Sequence, residues 1–270
     1  MTTRPLLAVG ALIVLGGCAL RAGPAPPRNI SPAEVSAERL LASIDDRAAA
    51  LHTFRALAQM HYVGPKESLA VKEVVAVQRP DRLRIEMMSA FGVALQIASD
   101  GQWLCAYHRG DRTFYRGRAS SDNLARFTRL ELELSDVVDL LVGLPPLRER
   151  RGRPSIVFER PQGWWKVSSD LTNGGTLALW FDPDSLLAVR ASEADPQGNV
   201  RYVAGYARYQ TFAGLEMPTE VRFEIPDQQA KIELRYSDVS VNTDLSPALF
   251  SFEAPVGSKI VDLDALASDG

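Results

Sequence analysis

The chain has 270 residues, of which 46% are hydrophobic and 23% are charged, and its formal net charge at pH 7 is −3. A chain of this size and composition can bury a full core as one large domain or two small ones. It lacks the basic excess that is typical of nucleic-acid-binding proteins, so no nucleic-acid partner is expected.

The N-terminus has the pattern of a cleaved targeting signal. Arg4 forms a short basic region, Leu6–Leu15 is apolar, and Gly16 and Gly17 precede Cys18. The apolar stretch is about half as long as the roughly 20 residues that a bilayer-spanning helix needs. A removed signal peptide at residues 1–17 is therefore favoured over a membrane-spanning helix.

The tetrapeptide Leu-Gly-Gly-Cys ending at Cys18 resembles the bacterial lipobox, which implies that Cys18 is lipidated. Several acyl chains would anchor the protein stably, whereas one chain binds only marginally. Ala19 stands where aspartate commonly signals inner-membrane retention, so the resemblance implies an outer-membrane anchor facing the periplasm. The alternative is an uncleaved or secreted form with an incidental thiol at Cys18. With Cys18 lipidated, Cys105 has no disulfide partner and is predicted to be a buried small hydrophobe.

Residues 18–35 are rich in proline and lack periodic apolar residues, which predicts an extended tether. Ser36–Leu51 then has apolar residues at helical spacing, with Arg47 away from the apolar face. Ser121–Phe127 is a second predicted helix. Ser135–Val142, with its first residue as the predicted N-cap, is apolar on more than one face and ends at Gly143. That pattern suits a helix inserted into a concave sheet.

Most of the remaining sequence alternates between apolar and polar residues, which predicts β-strands. The alternating segments are Leu83–Met87, Leu95–Ile97, Trp103–Tyr107, Thr176–Asp182, Leu186–Glu193, Arg201–Tyr209, Glu216–Ile225 and Ala230–Val241. Asp100-Gly101 predicts a tight hairpin turn. In all, the pattern indicates about eleven strands in a long antiparallel meander.

Four stretches carry a family resemblance: a strand pair, an apolar helix ending in Gly-Leu-Pro, the penultimate strands and the last long strand. They lie at Arg82–Ile97, Leu132–Pro146, Gly205–Val221 and Ala230–Asn242. They resemble the LolB family of outer-membrane lipoprotein receptors and, more broadly, LolA-like lipoprotein carriers. The resemblance implies a mainly β fold with helices, an open antiparallel half-barrel whose apolar concave face lies under a helical lid. It assigns residues 36–262 to this domain and residues 263–270 to a flexible tail.

Twelve apolar positions are expected on the concave side of this half-barrel. They are Leu83, Ile85, Met87, Leu95, Ile97, Trp103, Val137, Leu140, Leu141, Leu144, Ile232 and Leu234. Such residues either line a cavity for acyl chains or fill a closed core. Burial favours both arrangements by roughly 25 cal/mol per Å², so the sequence leaves both open.

The turn at Ser89–Gly92 differs from the family pattern, because its proline is absent and Phe91 replaces the exposed aliphatic residue of the receptor loop. The resemblance implies that Ala90, Phe91 and Gly92 form a loop that contacts the membrane or the cargo. The alternative is a turn residue folded back onto the core. The chain also continues past the usual end of the receptor through Leu249–Phe252, as soluble carriers and other lipoprotein relatives do.

Two further features have both a functional and a structural interpretation. The basic run Arg148, Arg150, Arg151 and Arg153 either steers the domain toward anionic headgroups or forms a solvated loop. Trp164 and Trp165 fall on opposite faces of a predicted strand. Either one indole is exposed and makes a contact at the rim of the half-barrel, or both indoles take part in sheet packing.

Nothing in the sequence indicates an enzyme. His52, His61 and His108 lack metal-ligand spacing, and no Gly-x-Ser-x-Gly, Walker or HExxH motif occurs. The acidic pairs Asp45-Asp46 and Glu131/Glu133 are predicted to face solvent. No catalytic residue, metal site or organic cofactor is therefore expected.

The resemblance predicts an outer-membrane lipoprotein that binds acyl chains and accepts or inserts lipoproteins. Its expected partners are the membrane, through Cys18, the acyl chains of lipoproteins and a periplasmic LolA-like carrier. The alternative is a non-catalytic envelope assembly or structural lipoprotein that uses the same fold for another apolar ligand or a protein partner.

Overall fold

The computed structural model describes residues 35–128, 132–146 and 149–266. The signal peptide, Cys18 and the tether up to residue 34 lie outside the described residues, as do Glu131 and Arg148. Within these ranges, no helix is both long enough and apolar enough to cross a membrane.

One large sheet and four helices form the described part of the chain. The strands are β1 (Thr53–Val63), β2 (Ser68–Gln78), β3 (Arg82–Ser89), β4 (Gly92–Ser99), β5 (Trp103–His108), β6 (Thr113–Arg118), β7 (Arg150–Glu159), β8 (Trp164–Leu171), β9 (Thr176–Phe181), β10 (Ala188–Ala194), β11 (Val200–Phe212), β12 (Leu215–Ile225), β13 (Ala230–Val241) and β14 (Lys259–Asp262). The helices are α1 (Ala37–Ala50), α2 (Ser121–Thr128), α3 (Leu134–Leu141) and α4 (Leu263–Leu266). Short 3₁₀ turns follow β12 and β13.

The strand order is β14-β6-β5-β4-β3-β2-β1-β13-β12-β11-β10-β9-β8-β7, and the sheet stays open, with β14 and β7 at its edges. Two meanders, β1–β6 and β7–β13, meet where β1 pairs with β13. The segment between them contains α2 and α3, and both helices contribute residues to the main core. The predicted open sheet with a helical cover is therefore confirmed in outline.

The details differ from the prediction in two ways. There are fourteen strands in the described residues rather than about eleven, and β14 pairs with β6 in parallel, which breaks the expected antiparallel meander. Strand β14 is only four residues long. Its alternating pattern is therefore too short to predict an additional edge strand from the sequence.

Helix α1 matches its prediction closely. Ser36 is the N-cap, with its Oγ accepting a hydrogen bond from the Arg39 N–H at 3.2 Å, and the predicted apolar face, including Leu40 and Ile44, is buried. Arg47 was expected away from that face but is buried as well. Its Nη1 donates to the Glu216 carbonyl oxygen at 3.4 Å, and its guanidinium carbon lies 5.8 Å from the centroid of the Tyr209 ring.

Helix α3 is the expected lid helix, although it begins one residue earlier than predicted and its N-cap is Glu133 rather than Ser135. It is buried on more than one side, as its apolar pattern indicated. Gly143 ends it with a φ of +75°, and a Cβ at this position would collide with Pro218, so only glycine fits. The buried Tyr236 hydroxyl donates to the Leu141 carbonyl oxygen at 2.6 Å, which ties the end of the lid to β13.

Tyr236→Phe should lower the free energy of unfolding by about 1–2 kcal/mol, because it leaves the buried Leu141 carbonyl without a donor. The matched control is Tyr206→Phe, since the Tyr206 side chain is equally enclosed but its hydroxyl has no hydrogen-bond partner in the described residues. That control should leave stability unchanged or raise it, because it removes a buried hydroxyl that none of the described residues hydrogen-bonds. Urea unfolding of both variants measures the difference, and equal losses would contradict the assigned hydrogen bond.

The convex face carries a second, smaller core. Five residues are buried outside the main core: Ala76, Ala98, Cys105, Phe114 and Phe250. The 3₁₀ turn Pro247–Phe250 lies across β3 and β4, where Arg84 Nη1 donates to the Leu249 carbonyl oxygen at 2.7 Å. The Phe252 ring then meets the Phe114 ring edge to face at 5.6 Å. The segment after β13 is thus a strap over the outer face, and Cys105 is buried beneath it, as predicted.

The strap continues into β14 and α4, and α4 consists of the first four residues of the tail predicted at 263–270. Leu263 is buried, and the Asp264 carboxylate accepts from Asn123 Nδ2 at 2.7 Å and from the Arg118 N–H at 3.0 Å. These contacts order the segment against β6. Residues 267–270 lie outside the described residues.

Candidate functional site

An apolar cavity opens on the concave face of the sheet, beneath α2 and α3. Its volume is about 230 Å³, and its walls come from β1–β4, β12, β13 and the two helices. Residues with hydrocarbon or aromatic side chains dominate the lining: Met60, Tyr62, Leu69, Ile85, Met87, Leu95, Ile97, Phe127, Val137, Leu141, Phe223, Ile232 and Leu234. Such a site suits an apolar chain, since polar groups in it would lose hydration.

Eight of the twelve predicted concave residues line this cavity: Ile85, Met87, Leu95, Ile97, Val137, Leu141, Ile232 and Leu234. Leu83, Leu140 and Leu144 are buried in the main core but are not part of the lining. One part of this apolar surface therefore lines a cavity and another part fills the core.

Trp103 was wrongly placed on the concave side. In the ladder between β4 and β5, Ile97 pairs with Ala106 and Ser99 pairs with Leu104, so the even-numbered residues of β5 share the concave face. Trp103 lies on the convex face, where the guanidinium carbons of Arg116 and Arg118 lie 4.8 Å and 4.6 Å from its ring centroid.

One acidic side chain lies inside the cavity. Glu73 of β2 pairs with Ala58 of β1 and Met87 of β3, is only 3% exposed, and belongs to the lining. Burial raises the pKa of its carboxyl from 4.5 to about 7. Glu67 is the second acidic lining residue and lies at the exposed rim, whereas the lining residues that the structure describes include no lysine, arginine or histidine.

The sequence contained a signal for Glu73 that the prediction missed. Along β2 the alternating face reads Leu69, Val71, Glu73, Val75 and Val77, so one carboxylate interrupts an otherwise apolar row. A charged residue on the buried face of a period-two pattern indicates either a paired charge or a binding group. The aromatic lining residues Tyr62, Phe127 and Phe223 lacked a comparable signal because their partners come from distant strands.

The β3–β4 hairpin presents Phe91 at its tip. Its side chain is 88% exposed, and the turn is held by Ser89 Oγ, which donates to the Gly92 carbonyl oxygen at 2.9 Å. Met87 and Leu95 pair across the same hairpin below the tip and line the cavity. The Phe91 side chain is therefore exposed and does not fold back onto the core. The tip that carries it lies next to the cavity wall.

A second apolar tip lies at the same end of the sheet. Val256, in the turn before β14, is 97% exposed. The β5–β6 turn joins the two tips, since Arg109 Nη1 donates to the Phe91 carbonyl oxygen at 3.0 Å and Arg112 Nη2 donates to that of Val256 at 3.3 Å. Two exposed apolar side chains are thus flanked by two cationic ones.

The lid is fastened to α1 by a single arginine. Arg79, after β2, donates through Nε to the Asp139 carboxylate of α3 at 2.7 Å and through Nη1 to the carbonyl oxygens of Ala48 and Leu51. Burial raises the pKa of Asp139, and the nearby Arg79 guanidinium opposes that rise. The pair couples the position of the lid to the end of the first helix.

The other sequence features have structural roles. Arg150, Arg151 and Arg153 belong to β7 rather than to a loop, and Arg150 contacts Asp45 at 3.3 Å. Trp164 and Trp165 are both half-buried, and Trp165 packs edge to face against Phe158 with ring centroids 4.9 Å apart. Trp165 thus takes part in sheet packing, as one of the two interpretations predicted.

Within the described ranges, no three or more His, Cys, Asp or Glu residues are grouped so that they could hold a metal ion.

Comparison with known proteins gives a fold but no sequence family. No protein-family model matches the chain, and no curated protein matches it. Among solved structures, a LolA superfamily protein from Nitrosomonas europaea superposes with a TM-score of 0.56 at 15% identity, covering 81% of this chain and 98% of its own. A DUF1329 family protein from Desulfovibrio piger gives a TM-score of 0.56 at 16% identity, with 80% and 95% covered.

A putative outer membrane lipoprotein-sorting protein domain from Vibrio parahaemolyticus is similar to the same extent. Its TM-score is 0.54 at 15% identity, and the match covers 78% of this chain and 95% of that domain. The open sheet, the helices on its concave face and the near-complete coverage of these structures agree with the resemblance inferred from the sequence. The chain therefore has the fold of LolA-superfamily proteins.

Proposed function

We propose that this protein is a lipid-anchored envelope protein that binds the acyl chains of lipoproteins and accepts them at the outer membrane. The observation that carries the proposal is the apolar cavity beneath α2 and α3, two of whose lining residues, Met87 and Leu95, lie on the hairpin that ends in the exposed Phe91. Binding of this kind requires no covalent chemistry, because transfer depends only on where the acyl chain is better buried.

The volume of the cavity sets the free energy expected from burying an acyl chain in it. At roughly 30 Å³ per water-sized group, 230 Å³ accommodates a chain segment of about eight methylenes. Burial contributes about 0.8 kcal/mol per methylene, so the gross gain is about 6 kcal/mol before the cost of association. A receptor that accepts cargo from a carrier must bind the acyl chain more tightly than the carrier does. Each tenfold difference in affinity requires about 1.4 kcal/mol.

The lipid anchor proposed at Cys18 would keep the cavity close to the membrane. Lipidation there, followed by the Pro-rich tether, would hold the domain up to about 40 Å from the membrane surface. Ala19 supports the outer membrane as the site of attachment, and the domain would then face the periplasm. A LolA-like carrier is the proposed donor of cargo.

The loop Ala90–Gly92 is the proposed contact with membrane or cargo. Phe91 is 88% exposed, and a large side chain in that position gains free energy when it enters an apolar phase. Val256 and the flanking Arg109 and Arg112 support the same orientation toward an anionic membrane surface, since arginine attracts the headgroups.

Phe91→Glu should leave the fold intact, because the side chain makes few contacts, but should reduce lipoprotein delivery to the outer membrane by about tenfold, the effect of losing about 1.4 kcal/mol. Val157→Glu is the matched control, since Val157 is 59% exposed on edge strand β7, far along the sheet from the hairpin. Delivery is measured by membrane fractionation of a tagged lipoprotein. Normal delivery by the folded Phe91 variant would reject the assigned role of the loop.

Depletion of the protein distinguishes the receptor role from an assembly or structural role. Lipoproteins accumulating in the periplasm or inner membrane would support the receptor. A defect in one envelope assembly, with normal lipoprotein sorting, would instead assign the cavity to another apolar ligand or a protein partner.

A further inference from the structure

Glu73 is an acidic group in a place that the packing of the protein does not require. Its side chain faces the cavity between Val71 and Val75, and Ala58 and Met87 flank it on the neighbouring strands. Among the described residues, no hydrogen-bond donor or cation contacts its carboxyl group. It is 97% buried, so it is also largely cut off from solvent.

A carboxyl group in this environment opposes folding, because the charged form loses its hydration without gaining a partner. Valine, the residue at the neighbouring inward positions, would fill the same wall without that cost. Glu67, the other charged residue of the described lining, has the same sign as Glu73. A binding partner that enters the cavity would compensate the charge.

The composition of the lining indicates the charge of that partner. A carboxylate accepts hydrogen bonds and donates none, so its complement is a donor with positive charge. The described part of the lining contains the Glu73 carboxylate and no cationic side chain. The surrounding hydrocarbon also strengthens an ion pair, because water screens it poorly there. An anionic fatty acid would be repelled by the same arrangement.

We propose that Glu73 recognises an ammonium group carried next to an acyl or alkyl chain, and that the chain occupies the surrounding apolar cavity. This inference rests on the proposed function, in which the cavity receives acyl chains, and adds the chemical class of the headgroup. The ligand class is therefore an amino-amphiphile rather than a free fatty acid or a neutral hydrocarbon.

The test is a matched series of eight-carbon ligands, whose chain length fits a cavity of about 230 Å³. Octylamine, 1-octanol and octanoate are titrated into the purified full chain at pH 8 and binding is measured by calorimetry. Octylamine is then protonated, since a primary amine has a pKa near that of lysine, about 10.4. We expect octylamine to bind about tenfold more tightly than octanol, and octanoate to bind most weakly.

Glu73→Gln keeps the shape of the side chain and removes its charge. The variant should bind octylamine and octanol within about twofold of each other, with octanol affinity unchanged. Glu67→Gln is the control at the rim and should keep the preference for the amine, because Glu67 lies in a solvent-exposed position where charge is screened.

The outcomes separate the two proposals. If the wild-type protein binds octanol but shows no preference for octylamine, or if Glu73→Gln keeps the preference, the ammonium site is wrong and the acyl cavity stands. If neither octanol nor octylamine binds to the wild-type protein, the acyl-binding function itself is overturned. If the wild-type protein and Glu67→Gln prefer octylamine and only Glu73→Gln loses this preference, both proposals are supported.

Discussion

Replacing Phe250 with alanine should lower the free energy of unfolding by about 3–5 kcal/mol, the usual cost of removing a fully buried phenyl ring. Phe250 is 1% exposed and forms part of the small core on the convex face of the sheet. Its loss would leave a cavity under the strap and loosen the segment that leads to β14. The effect is large because the strap has few other buried side chains to hold it.

Phe91→Ala is the matched control, since it makes the same chemical change at a side chain that is 88% exposed. It should alter stability by less than about 0.5 kcal/mol. Guanidinium unfolding of the two variants, followed by tryptophan fluorescence, gives both values. A Phe250 variant as stable as the wild-type protein would mean that the strap is not part of the cooperative fold.

Glu73→Gln should stabilise the protein at pH 8 by about 3 kcal/mol and have little effect at low pH. Burial raises the pKa of Glu73 from 4.5 to about 7, so the folded state holds a proton that the unfolded state releases. Below pH 4.5 the group is protonated in both states and its stabilising contribution is fully present. That contribution is lost as the pH rises to about 7, and each pKa unit corresponds to about 1.36 kcal/mol.

The measurement is the difference in unfolding free energy between wild type and Glu73→Gln at several pH values from 4 to 8. Taking the difference removes the titration of groups common to both proteins. A constant difference for Glu73→Gln would show that its carboxyl group is hydrated or paired in solution.

The stability effect and the ligand preference test different aspects of the same residue. A group that destabilises the empty protein at neutral pH and strengthens binding of a cationic amphiphile is a binding group, retained at a cost to the fold. The same variant therefore supplies a folded reference for the calorimetric experiment.

The choice of face for β5 shows where sequence patterning fails. Both faces of this strand are apolar, with Trp103 and Cys105 on one side and Leu104 and Ala106 on the other. Alternation identifies a strand but not which of two apolar faces points inward, and a shift of one residue inverts the assignment. The strap on the convex side causes the ambiguity, because it buries a face that would otherwise be polar.

The position of Phe91 shows a different limit. Its neighbours in sequence predict a hairpin turn, and the turn formed as expected. Whether the ring folds back or projects depends on the surrounding loops, since Arg109 from the next hairpin holds the Phe91 carbonyl and the ring stays 88% exposed. Such contacts between separate turns have no periodic signal in the sequence.

The sequence by itself determined the local elements: the amphipathic helix α1, the lid helix α3 and most of the strands, because each depends on the spacing of apolar residues within one segment. It also supplied eight of the cavity residues, since inward positions on a strand recur at every second residue. Only the tertiary structure decided how the segments meet: the pairing of β1 with β13, the parallel β14 and the strap over the convex face. Those contacts join residues far apart in sequence. The packing of β1–β4, β12 and β13 against the two helices placed the Glu73 carboxyl inside an apolar cavity, where none of the described residues pairs with it.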